Sequence, residues 1–357
     1  MEAVTALYSE GNQELSEAII ASLSRAVFDG GNGGPAGLVQ RAVSRASYRI
    51  LKWTTTRRHE ADTGDRENGA CHNPILEWTG HPYARALLDS SSRETESLVE
   101  GGDPMNGPYM LIAPEILQVA TTWDRIFLDS VQGRDVQLRF IWETQATYEE
   151  ARRRLENGGS VRMKAVAAGT GLSKILVYDR LIQEGHDPAR ITVRITDRDK
   201  ASIDKAGRLL AKLASTRSRT TEAESEGGIS AEVEDIFAEK PGAEYNVVTA
   251  VGILEYLTGF TCETTERYFN LPQPEEAWTA QDLVARLGQM TADSSALIVN
   301  TSRLHSSTRI LELFGKRFDY RNRDNLAALL ATANFQNPRL IGSANIYDIE
   351  VYEKGRP

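Results

Sequence analysis

Ala167-Ala168-Gly169-Thr170-Gly171 stands between an apolar, β-branched run at 161–167 and an amphipathic stretch at 172–184. Glycines there let the backbone turn sharply and let a ligand approach the main chain without a Cβ in the way. The amides opening the following helix then face any anionic group. The second apolar run ends at Asp197, followed by Arg198-Asp199. A carboxylate at the tip of a second parallel strand is placed to accept hydrogen bonds from a ribose. A dinucleotide fingerprint wants a third glycine at position 174, which is Lys174, and a P-loop wants Gly-Lys-Ser or Gly-Lys-Thr where this chain has Gly-Leu-Ser. A nucleoside site without either signature, and a tight turn without a ligand, both remain open on these residues alone.

Other side chains could carry chemistry around that turn. His305, in Thr301-Ser302-Arg303-Leu304-His305, follows the fifth strand-like run, and an imidazole titrates near neutrality. It is a candidate general base, with a surface or capping histidine as the alternative. Glu255 and Tyr256 lie just past the fourth run, Glu255 as a second catalytic candidate and Tyr256 as a substrate contact or packing residue. Trp142 and Tyr148, in the helical stretch before the first strand, are placed to close over a pocket or to fill the core. His59, His72, His81 and His186 have no metal-ligand spacing, and Cys71 and Cys262 are the only cysteines, so no metal site is expected. Gly-x-Ser-x-Gly and His-Glu-x-x-His are absent.

The elements that must position these groups follow from periodicity. The first 155 residues read as helices joined by polar loops: Leu15, Ile19, Leu23 and Val27, then Val39, Val43, Ala46 and Ile50, recur at helical spacing, and 135–155 continues the pattern. Near Gly158-Gly159 the pattern changes to short β-branched runs alternating with amphipathic helices, which implies a parallel sheet covered by helices. Strands are expected at 161–167, 191–196, 231–234, 246–250 and 296–301, and helices at 172–184, 199–213 and 280–290. Thr279 with Asp282 matches a capping box. The polar stretch 215–230 reads as a loop. The last two runs, 339–344 and 347–352, are too close for a helical crossover and should pair antiparallel. The expected fold is therefore α/β: a seven-stranded, mostly parallel Rossmann-like sheet with an antiparallel C-terminal pair, residues 156–357. A helical region, residues 1–155, precedes it as substrate wall, lid or homodimer surface.

In its ordered motifs, the chain from 160 to 354 resembles the class I S-adenosylmethionine-dependent methyltransferases of the small-molecule type. Ala168, Gly169, Thr170 and Gly171 are similar to the family's glycine loop, which implies that they hold the methionine end of the cofactor. Thr196-Asp197-Arg198-Asp199 resembles the second-strand segment, implying that Asp197, with Arg198, meets the ribose. Glu234-Asp235-Ile236-Phe237 looks like the segment whose Asp235 and Ile236 would border the adenine. Residues 245–257 resemble the fourth strand and its turn, where Val251 and Gly252 would line the reacting methyl group. Residues 322–335 are similar to the family's last helix. Ala165 and Ala167 stand where the family usually has an acidic residue and a first glycine, and Asn246 replaces a common aspartate.

The resemblance implies S-adenosylmethionine as cofactor and O- or C-methylation of a small organic acceptor such as a natural-product intermediate. Two other uses of the scaffold stay open: a different group transfer, and a regulatory protein that binds a nucleoside-like ligand. Among 357 residues, 41 Lys and Arg face 50 Asp and Glu, a net charge of −9 that disfavours a nucleic-acid partner. Val251-Gly252-Ile253-Leu254 also lacks the aromatic-after-prolines motif of base-amino methyltransferases. Charged residues at 25% and hydrophobic ones at 41% fit a folded chain, and no apolar run reaches the ~20 residues of a membrane span. No N-terminal targeting pattern is visible, so the expected setting is cytoplasmic.

Overall fold

A computed structural model describes residues 131–200, 202–204, 206, 207, 210, 211, 228–238, 242, 244–260, 263, 264, 278–305 and 318–356. The helices expected before residue 131, and residues 215–227 of the expected loop, lie outside them. The chain enters through helix α1 (Val131–Glu156), then β1 (Val161–Ala165), α2 (Leu172–Gln183) and β2 (Ile191–Asp197). β3 (Gly228–Val233), β4 (Tyr245–Ala250), the two-residue β5 (Glu263–Thr264), α3 (Ala280–Met290) and β6 (Thr291–Ser302) follow. β7 (Asp319–Tyr320), α4 (Arg323–Ala331), β8 (Phe335–Ser343) and β9 (Tyr347–Lys354) complete the order.

Seven strands form one sheet in the order β3-β2-β1-β4-β6-β9-β8, while β5 and β7 pair separately. β3, β2, β1, β4 and β6 are parallel; β9 runs antiparallel to β6, and β8 antiparallel to β9. This is the Rossmann-like sheet with an antiparallel C-terminal pair that the sequence predicts. Alternate residues of the central strands point to two cores. Val161, Met163, Val193, Val247 and Ile298 pack against Ala146, Ala151 and Leu155 of α1 and Ile175, Val177 and Leu181 of α2. Val248, Leu297 and Val299 pack against Leu283 and Leu287 of α3 and Leu326 and Leu330 of α4. Central parallel strands buried on both faces must be apolar at nearly every position, which is why they read as continuous runs.

Local chemistry sets several boundaries. The Thr279 hydroxyl accepts the Asp282 N–H at 3.2 Å and the Asp282 carboxylate accepts the Thr279 N–H at 2.8 Å, the reciprocal cap expected at the start of α3. Asn322 caps α4 by accepting the Asn325 N–H at 2.8 Å. β3 begins at Gly228, three residues inside the expected loop, because Gly228 to Ser230 pair in register with Thr192 to Arg194 of β2. That pairing overrides the weak strand propensity of glycine and serine. Among the described residues, no helix is long and apolar enough to cross a membrane.

Candidate functional site

Strand order locates the crevice. From β1 the sheet grows through β2 and β3 on one side and through β4 and β6 on the other. The connections leaving β1 and β4 therefore part at their carboxyl ends, where open α/β sheets bind ligands. The glycine turn leaves β1 at that edge. Val166 donates to the Thr249 carbonyl of β4 and Ala168 to the Thr196 carbonyl of β2, so the turn is pinned to both neighbouring strands. Gly169 and Gly171 take left-handed φ angles of 57° and 59°. Ala167 takes the same hand at φ 49°, keeping the conformation of the glycine that the resemblance places there. A Cβ on Gly171 would lie 2.5 Å from Ile195 Cγ2, so any other residue there would force Ile195 or the turn to move.

The turn and Asp197 meet. The Gly169 N–H donates to Asp197 Oδ2 at 2.8 Å, and the Asp199 N–H donates to Oδ1 at 2.8 Å. Arg198, between them, is exposed, whereas Thr170 is buried. The turn from Ala168 to Gly171 and Asp197 thus lie together at the ends of β1 and β2, with Ala168 and Asp197 partly exposed and Gly169, Thr170 and Gly171 buried.

Across the crevice, the segment after β4 is held by a polar network. Gly252, at φ 86°, donates its N–H to Asn300 Oδ1 at 2.7 Å. Asn300 Nδ2 donates to Glu255 Oε2 at 3.4 Å, and Arg139 Nη1 contacts Glu255 Oε1 at 3.1 Å. The Arg139 guanidinium also lies 4.5 Å from the centroid of the Tyr347 ring. Farther along, the buried Arg321 donates to the carbonyls of Leu254, Leu257 and Gly259, fixing the course of this loop.

His305, half-buried beyond β6, lies close enough to Asp135 for its charge to act on that carboxyl. Asp135 is 2% exposed and accepts the Ile346 N–H at 2.7 Å. Burial pushes its pKa up, and the hydrogen bonds and the His305 charge oppose that rise.

These contacts converge on α1 through a stripe that sequence reading missed. Asp135, Arg139 and Glu143 are spaced by four, which aligns them on one helix face. Asp135 answers His305 and the β8–β9 hairpin, Arg139 answers Glu255, and Glu143 accepts from Lys174 of α2. Ser173 Oγ also donates to Glu143, at 3.1 Å. Lys174 is 1% exposed; burial lowers its pKa while Glu143 opposes that shift. The residue standing where a dinucleotide site has its third glycine thus locks α2 to α1. The signal in the sequence was charge at helical spacing, which ordinarily marks a solvated face.

Several expected site residues are placed elsewhere. The Tyr148 hydroxyl donates to Glu184 at 2.6 Å, at the C-terminal end of α2, opposite the end that carries the glycine turn. Trp142 packs on Gly342 of β8, where an added Cβ would lie 2.1 Å from the indole. Both rings pack into the core under α1, Trp142 over the edge strand β8 and Tyr148 at the far end of α2. Glu255 is 3% exposed and joined to Arg139, so it braces the loop. Ile236 is buried in the core beside α3, and Asp235 uses its carboxylate to accept the Phe237 N–H of its own turn at 3.0 Å. Tyr256 is exposed and packs against Phe318, with ring centroids 5.0 Å apart. Val251 and Gly252 lie just past the end of β4. Among the described residues, no group of three ligating side chains could hold a metal.

No family model matches this chain, and no curated protein matches it in sequence. Solved structures with a similar course of the chain are mainly S-adenosylmethionine-dependent methyltransferases. The CurJ carbon methyltransferase is 13% identical, with a TM-score of 0.45 over 99% of this chain and 94% of its own. The magnesium protoporphyrin IX methyltransferase of Synechocystis PCC 6803, solved with S-adenosylhomocysteine, is 13% identical, with a TM-score of 0.41 over 62% of this chain and 87% of its own. A Bordetella parapertussis protein described as a possible exported protein is 12% identical, with a TM-score of 0.47 over 78% of this chain and 99% of its own.

Proposed function

We propose that the chain is a class I methyltransferase that binds S-adenosylmethionine at the ends of β1 and β4 and methylates a small organic acceptor on oxygen or carbon. The observation that supports this reading is the 2.8 Å hydrogen bond from Gly169 to Asp197, which joins a glycine turn to a second-strand carboxylate at the sheet edge where open α/β folds bind ligands. The residues fit an adenosyl group. Each Asp197 oxygen accepts one main-chain N–H and retains a lone pair, so the pair can still receive two ribose hydroxyls. When bound, the cofactor supplies an electrophilic methyl group.

The protein's own contribution is alignment and proton management. Displacement at a methyl group needs the nucleophile held in line and water kept away. Gly252, tied through Asn300, Glu255 and Arg139, gives that side of the crevice a rigid wall. An acceptor hydroxyl of high pKa needs a base, and His305 serves as that base.

Calorimetry with S-adenosylmethionine and S-adenosylhomocysteine tests the reading. Both should bind, and Asp197→Asn should weaken each by roughly 10–100-fold, the loss expected for hydrogen bonds to a charged acceptor. No binding of either ligand to the wild-type chain overturns the assignment. Binding without methylation of any acceptor in a labelled screen favours a nucleoside-binding regulatory protein. An unchanged rate and pH profile in His305→Ala removes the histidine from the chemistry.

A further inference from the structure

Among the described residues, the exposed aromatic side chains are Tyr256 at 44%, Phe260 at 38% and Trp278 at 47%. One such ring on a surface needs no explanation, but these three gather at one place. Tyr256 and Phe260 each stand two residues from Thr258, and Trp278 stands next to Thr279. Thr258 and Thr279 form a parallel bridge, and the Ala280 N–H donates to the Thr258 carbonyl at 2.8 Å. The rings therefore surround the loop that leaves β4, just beyond Gly252 on the crevice wall.

The rings are held in place. Tyr256 leans on the buried Phe318, which packs on the buried Tyr320 with centroids 6.3 Å apart. Trp278 stacks on Phe237, with centroids 4.5 Å apart and planes 4° from parallel, and the Phe237 carbonyl accepts from Arg286 Nη2 at 3.2 Å. Arg321 ties down the loop between Tyr256 and Phe260 by donating to the Leu257 and Gly259 carbonyls. Phe260 sits at φ 51°, a region that a bulky side chain normally avoids. Such strain persists only where the surroundings impose it, and it collects at ligand clamps. Phe237 covers one face of the Trp278 indole, while nearly half of that side chain stays open. A ring already ordered in this way loses little freedom when a second ring stacks on it. A flat aromatic ligand gains the stacking as well as the buried area, whereas an aliphatic one gains the area alone. The patch also reaches toward the proposed base: Leu304, the neighbour of His305, packs on Phe318 and Tyr320. A phenolic hydroxyl ionises near pH 10, which suits proton removal by an imidazole.

We propose that the acceptor is a planar aromatic compound carrying a ring hydroxyl, held against Tyr256 and Trp278; this rests on the crevice being the methyl-donor site. The test is calorimetric titration of the full chain, saturated with S-adenosylhomocysteine, with 2-naphthol and with decahydro-2-naphthol, its saturated counterpart. 2-Naphthol should bind with a stoichiometry of one and roughly 2–10-fold more tightly than the saturated compound, the fold-change for one aromatic pair. Tyr256→Leu and Trp278→Leu should each weaken 2-naphthol by a similar factor with the fold retained by circular dichroism, while Tyr256→Phe, which keeps the ring, should bind as wild type does. Leu340→Ala, a change to an exposed apolar residue on the edge strand β8, should have no effect. Equal binding of the two compounds, or wild-type affinity in both leucine variants, overturns the proposal. A dimer in sedimentation that Tyr256→Leu dissociates also overturns it and gives the rings to a second copy of the chain. S-adenosylhomocysteine binding without saturable binding of millimolar 2-naphthol sinks the acceptor assignment alone, whereas no S-adenosylhomocysteine binding sinks the methyl-transfer reading and this one with it.

Discussion

Replacing Gly171 by alanine puts the linkage between fold and crevice under direct strain. The new Cβ would sit 2.5, 2.7 and 2.8 Å from three side-chain carbons of Ile195, a residue with no exposed surface in β2. The backbone would also be held at φ 59°, which costs an L-residue about 1–2 kcal/mol. Overpacking a close contact adds about 1–3 kcal/mol. The two effects are distinct, so Gly171→Ala should destabilise the chain by roughly 2–5 kcal/mol, the sum of those ranges. At about 2–4 °C per kcal/mol for a body of this size, the melting temperature should fall by roughly 4–20 °C. Either α2 or Ile195 must shift, and Ile195 lies two residues before Asp197, so nucleoside affinity should fall as well. Ile195→Ala removes all three clashing carbons and by itself costs about 2–5 kcal/mol as a cavity. In the double variant the overpacking disappears while the φ strain remains. Urea unfolding of the four proteins should then give a double-variant loss about 1–3 kcal/mol smaller than the sum of the single losses. Additivity within about 0.5 kcal/mol, or a harmless Gly171→Ala, would refute the contact and with it the tight join of α2 to β2.

The remaining expectations concern single side chains. Glu255→Gln should cost about 3–5 kcal/mol, because the buried Arg139 loses its counter-charge, and Glu255→Leu with Arg139→Met should recover most of it. Unchanged thermal stability with methyl transfer abolished would instead make Glu255 the base. Thr279→Ala should cost about 0.5–2 kcal/mol in chemical denaturation through loss of the α3 cap. The Thr279 hydroxyl and N–H hold the Asp282 carboxyl below its ordinary value of 3.8. Since the folded pKa is the lower one, this contribution is complete above the ordinary value and is lost as pH falls through the lowered one. Urea midpoints from pH 2 to 6 should show the gap between wild type and Asp282→Asn closing on the acid side, and a gap constant with pH rejects the assignment.

The parts of this protein legible in its sequence are those decided by neighbours along the chain. The strand runs of β1, β2 and β4, the cap of α3, the short connection that makes β8 and β9 antiparallel, and the turn through Gly169 and Gly171 each follow from a few consecutive residues. So does the placement of Asp197 at the tip of its strand. Tertiary structure alone decided what the charges of α1 do. Arg139 meets Glu255 across 116 positions, and Glu143 meets Lys174 across 31. A helical stripe of Asp, Arg and Glu reads as a solvated face until the sheet supplies its partners. The same reason carried Trp142 and Tyr148 away from the crevice: periodicity gives the face a residue occupies, whereas the angle at which α1 crosses the sheet sets what that face meets. Asp348 reads as one acid among strand residues, and only the pleat of β9 turns it into a buried carboxylate whose counter-charge is Arg303, 3.1 Å away. Local patterns fix backbone conformation because they act through short-range sterics and hydrogen bonds. The partners of a buried charge are chosen by packing among distant segments, where desolvation makes each pairing decisive.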